Sequence, residues 1–207
     1  MDSHPSKAKL TFEGIITLVT TLAPVLITFF LLMLTCMNQD FKGLIFIAGI
    51  LLALLLNLVI MPWVGNKREP DVSATCSLVD LPFTNAFNSP SNSSLFISFT
   101  FTYLFIPMIY NNQLNYPVII LLLGLFVMDS HARVIHKCTD QMGVFLGAFL
   151  GILCGASWFT IFRITGADDL LYFNELGSTS VRCNKPSEQT FKCSVYRNGV
   201  LVTRNIA

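Results

Sequence analysis

The sequence predicts an all-α integral membrane bundle of about five transmembrane helices, followed by a small, disulfide-stapled β-hairpin tail. Three observations predict it. First, 53% of the 207 residues are hydrophobic and only 12% are charged, about half the roughly 25% of a soluble globular domain. Second, five apolar runs approach or exceed the ~20 residues that a helix needs to cross the hydrocarbon of a bilayer. Third, the composition turns polar after Gly166, and two β-rich runs there flank an Asn-Gly pair, a strong local hairpin signal.

The chain divides into an N-terminal segment 1–13, a membrane domain 14–163 and a polar tail 164–207. The first span covers 14–37, "GIITLVTTLAPVLITFFLLMLTCM". It is longer than the ~7–15 residues of a signal-peptide core and lacks a small-x-small site after it, so it reads as a retained span. The second covers 43–64, with Asn57 as its one strongly polar residue, an expected interhelical hydrogen-bond former. The third (95–110) and fourth (116–129) are short and flank "NNQLN", so they read as a helical hairpin that crosses the membrane or re-enters it. The fifth covers 142–162. Intramembrane charges, the usual mark of a transporter path, are absent from the cores of all five spans.

Five crossings put the two termini on opposite sides. The N-terminal side collects Lys7, Lys9, Lys67, Arg68, Arg133 and Lys137; the short loops opposite hold Lys42 and Arg163. Basic residues in short loops stay cytoplasmic. The expected orientation is therefore a cytosolic N-terminus and a lumenal or exterior tail. The sequon Asn92-Ser93-Ser94 would then face the cytosol beside a span and stay unmodified.

Gly143, Gly147, Gly151 and Gly155 recur every four residues in the last span. That spacing puts them on one helix face, where another backbone can approach closely. The face is either a packing seam within the chain or an oligomer interface. In the tail, Cys183 and Cys193 are the only two cysteines, with nine residues between them. A lone pair at that spacing suggests a disulfide that staples a segment too small for a core of its own. A hairpin turning at Asn198-Gly199 would offer a strand edge to a protein partner.

Several function classes find no signal. A net charge of +1 suggests no nucleic acid partner. There is no glycine-rich nucleotide loop, no spacing of His, Cys, Asp or Glu that suggests a metal site, and no sign of a cofactor. The expected partners are the lipid bilayer and a protein at the tail.

Three segments carry a family resemblance. They are "NLVIMPWVGNKREP" (57–70), "SPSNSS" (89–94) and "SHARVIHKCTDQMGVFLGAFLG" (130–151). Their order resembles the type-2 phosphatidic acid phosphatase superfamily over residues 43–163. That family's motifs are Lys-x6-Arg-Pro, Pro-Ser-Gly-His and Ser-Arg-x5-His, and they converge on one side of the membrane. Pro70, Pro90, Ser91 and Arg133 match. Glu69 stands at the first-motif Arg and Pro62 at its Lys. Asn92 and Ser93 replace Gly and His, Ala132 replaces Ser, and Thr139 stands at the nucleophilic His. The resemblance implies a lipid phosphate or isoprenoid diphosphate phosphatase, with Lys67, Arg68, Ser91 and Arg133 holding phosphate. Without either histidine it implies neither a phosphohistidine nor a leaving-group acid. Glu69 would also repel the phosphate.

The tail phrase "CNKPSEQTFKCSVYRNG", preceded by "LLYFNEL", resembles the C-terminal segment of small multipass proteins in the internal virion membrane of large DNA viruses. That implies a structural or assembly role. The expected function is thus a non-catalytic membrane component, with no catalytic residue assigned; the phosphatase is the alternative.

Overall fold

A computed structural model describes residues 12–64, 89–173, 194–197 and 200–204, with side chains described from Ile15 to Val64 and from Ser89 to Phe173. Five helices make up the first unit: α1 Phe12–Asn38, α2 Lys42–Val64, α3 Asn92–Tyr110, α4 Tyr116–Ile135 and α5 Gln141–Ile164. All five are long and apolar enough to cross a membrane, and the chain is an integral membrane protein.

The third and fourth helices are longer than their apolar runs suggested. α3 has 19 residues and α4 has 20, so each rises ~28–30 Å, the full hydrocarbon thickness. α3 begins at Asn92 because Ser91 caps it in an extended conformation, its side chain accepting from the Ser94 N–H. α4 runs six residues past Asp129 and takes Asp129 and Arg133 into the helix. The expectation of charge-free span cores is therefore corrected: Asp129 is 1% exposed.

α3 is the central helix and touches the other four. Every residue from Ser93 to Thr100 is buried. Towards α2 it presents Phe96, Phe99 and Tyr103, whose rings surround Phe46 at centroid distances of 5.7–6.2 Å. Towards α5 it meets the glycine face. A Cβ on Gly147 would run into the Ser91 carbonyl oxygen, and one on Gly151 into that of Leu95; one on Gly155 would lie 3.0 Å from the Phe99 oxygen. The Ser91 N–H also donates to the Gly143 carbonyl at 2.9 Å. The four glycines thus form a seam within the chain, and α3 occupies the surface that an oligomer would need.

Gly166, at φ 71°, ends α5, with the Ala167 N–H reaching back to the Phe162 carbonyl. The chain then folds back across that end of the bundle through a 3-10 turn, Asp168–Leu170. Leu171 is 2% exposed. The Tyr172 hydroxyl donates to the Leu31 carbonyl at 3.0 Å, and Asn111 donates to the Phe173 carbonyl at 2.9 Å. Arg163 bonds Asp168 and the Tyr110 hydroxyl, with its guanidinium 4.1 Å above the Tyr110 ring.

The second unit spans Leu176–Ala207. In it β1, Ser194–Arg197, and β2, Val200–Arg204, pair antiparallel with Ser194 opposite Arg204. Cys183, Cys193, Asn198 and Gly199 lie outside the described residues, so the staple expected of this tail finds no support here. The disulfide that does involve a described cysteine is elsewhere: Cys138, between α4 and α5, is disulfide-bonded, while Cys36 and Cys154 are free thiols.

Candidate functional site: a buried ion pair at the polar end of the bundle

The polar side chains of the bundle gather where α3 and α5 begin and α4 ends. Asp129 and Arg133 lie one turn apart on α4, the spacing that brings side chains together. Arg133 Nε donates to Asp129 Oδ1 at 3.2 Å, and both side chains are largely buried. Arg133 also sits in the last turn of α4, where a cation complements the helix dipole. Ser93, on α3, stands beside the carboxyl. One turn further on, the ring of His136 meets the Thr17 hydroxyl of α1 at 3.1 Å. A small cavity of about 20 Å³ is lined by Thr17, Thr20, Asp129, Arg133, His136 and Cys138, among others.

Across α3, Asn57 of α2 donates to Asn92 Oδ1 at 2.7 Å and to the Pro90 carbonyl at 3.3 Å. This is the interhelical role expected of a single intramembrane Asn. It also occupies the side-chain oxygen of Asn92, the first residue of the sequon. Four buried polar oxygens at this end have no hydrogen-bond partner among the described residues: Asn57 Oδ1, Ser93 Oγ, Ser94 Oγ and Asp129 Oδ2.

Of the residues expected to hold phosphate, Ser91 and Arg133 are described, and both have partners within the bundle. Arg133 is engaged by Asp129. Ser91 is the cap of α3, and its N–H is committed to Gly143. Lys67 and Arg68 lie outside the described residues. Thr139, at the nucleophile position, is buried near Gly143. Asp129 was missed in the sequence as a site residue. Its signal was the Asp129/Arg133 spacing directly after an apolar run.

Two larger clefts flank α4. One of about 440 Å³ lies between α1, α3 and α4, and its hydroxyls come only from Thr100 and Tyr172. Thr100 uses its own on the Phe96 carbonyl. The other, about 390 Å³, lies between α3, α4 and α5 and is lined mainly by apolar side chains. Neither holds an acid–base pair or a nucleophile with a base. Among the described residues no group of three or more His, Cys, Asp or Glu could hold a metal ion. No known protein family, curated protein or solved structure matches the chain.

Proposed function

We propose that this chain is a non-catalytic multipass membrane protein with a structural or assembly role, binding a protein partner through its C-terminal tail. One observation supports the reading: the two described groups that a phosphatase would turn towards substrate have partners within the bundle, Arg133 on Asp129 and Ser91 on the start of α3. The tail's resemblance to small multipass proteins of viral inner membranes supplies the assembly context. Cross-linking from the tail in the native membrane or particle should capture a protein neighbour, and replacing Cys183 and Cys193 with Ser should weaken the capture. Undiminished cross-links, together with two free thiols at these positions in the wild type, would remove the stapled-tail surface. Detergent-purified wild type given phosphatidic acid or an isoprenoid diphosphate should release no phosphate above the blank. Release would reinstate the enzymatic reading.

The orientation has two opposed supports. The basic residues favour a cytosolic N-terminus. Cys138, at the same end of the bundle, is disulfide-bonded, and such bonds belong to oxidising compartments. That observation favours the reverse orientation. A membrane-impermeant protease or label applied to sealed vesicles separates the two. With the charge orientation, an epitope after Ala207 is protected in vesicles whose cytosolic face is outside; with the disulfide orientation it is removed.

A further inference from the structure

We propose that the small cavity beside Asp129 is a binding site for a single ordered water molecule, which completes the coordination of a buried carboxylate at the end of the membrane domain. The need comes from Asp129. Its Oδ1 is held by Arg133, while its Oδ2 is buried, and the one polar side chain that approaches the carboxyl from α3, Ser93, makes no bond of full hydrogen-bond geometry to it. A carboxylate oxygen taken out of water without a partner is costly. Beside the carboxyl, Thr20 of α1 is 2% exposed and Ser93 of α3 4%.

The size of the cavity selects the ligand. A volume of about 20 Å³ clears the ~10–15 Å³ that one water requires, and it is too small for a polyatomic anion. The electrostatics agree. Asp129 opposes an anion, and the Arg133 guanidinium, which lines the same cavity, opposes a metal cation. A neutral ligand that both donates and accepts suits both. The water donates to Asp129 Oδ2 and accepts from an Arg133 N–H, while the wall formed by Thr17, Thr20 and His136 supplies its remaining partners. Two to four such bonds are usual for a buried water. The site joins α1 to α4 beside the ion pair.

The test is a structure of the intact protein in a lipid nanodisc at a resolution that shows waters. The expected result is one density peak ~2.7–3.2 Å from both Asp129 Oδ2 and an Arg133 nitrogen. Ala132→Ile, which grows a wall of the cavity, should remove the peak and leave the helices in place. Radiolytic labelling in heavy-oxygen water gives a second readout that does not depend on that variant. His136 should be labelled well above buried side chains of the α2–α3 interface such as Met108. A cavity without a peak, or Asp129 Oδ2 bonded directly and only by Ser93, overturns the proposal. So does a peak at the ~2.0–2.4 Å of metal coordination, or labelling of His136 no higher than that of Met108.

Discussion

Gly147→Leu and Gly151→Leu should each prevent the membrane domain from assembling stably, and both should show this as early loss of the monodisperse species on heating in detergent. The cause is the depth of the α3–α5 seam. At both positions the atom that a new Cβ would meet is a backbone carbonyl oxygen, of the α3 cap Ser91 or of Leu95 within α3, which cannot rotate out of the way as a side chain can. Even Gly147→Ala should therefore be costly, about 1–3 kcal/mol as for other overpacked sites, because Ser91 N and Ser91 C lie close behind the oxygen. Separating the helices would also break the bond from the Ser91 N–H to the Gly143 carbonyl. Gly155→Ala should be milder, since its contact at 3.0 Å needs only a small shift. Gly124, with nothing within 4 Å of its notional Cβ, supplies the control. Gly124→Ala should be neutral or slightly stabilising, because Ala is the better helix former by up to ~1 kcal/mol. If Gly151→Leu melted with the wild type, the seam would not hold α3 against α5.

Seam and spans were not equally legible in the sequence. Five spans could be counted because apolar length is a one-dimensional property. The glycine face could be seen because a repeat of four maps onto one side of a helix. Its partner could not, since nothing in 143–155 says which neighbour approaches. The start of α3 was placed at Leu95 because Asn92, Ser93 and Ser94 look like loop. They are helical because Ser91 caps the helix and because Asn57 reaches Asn92 from α2. The end of α4 was placed at Asp129 for a related reason. A charge ends an apolar run in the sequence, but a helix can carry it deeper when a cation follows four residues later. The disulfide at Cys138 was out of reach too, since no spacing within the chain singles that cysteine out from the other five.

The Asp129/Arg133 pair gives the second large effect, and it separates a structural arginine from a ligand-binding one. Arg133→Ala should destabilise the bundle by about 3–5 kcal/mol, because it leaves a buried carboxylate without its counter-charge. Asp129→Ala should cost less. The longer Arg133 side chain is 13% exposed against 2% for Asp129, so its guanidinium has a route to the interface, as long cationic chains near helix ends commonly do. The double variant Asp129→Leu with Arg133→Leu should recover most of the loss suffered by Arg133→Ala. Removing both charges removes the need to compensate either, and apolar replacement of buried pairs is often neutral or better. Thermal unfolding of all three variants in the same detergent closes the cycle. The order expected is Arg133→Ala least stable, then Asp129→Ala, with the double variant nearest the wild type. An arginine kept to hold an external phosphate would behave differently. Its loss would leave the apo protein as stable as before, and the double variant would gain nothing over the single. If Arg133→Ala melts with the wild type in the absence of ligand, the internal pair is not what holds this end of the bundle, and Arg133 returns as a residue free to bind.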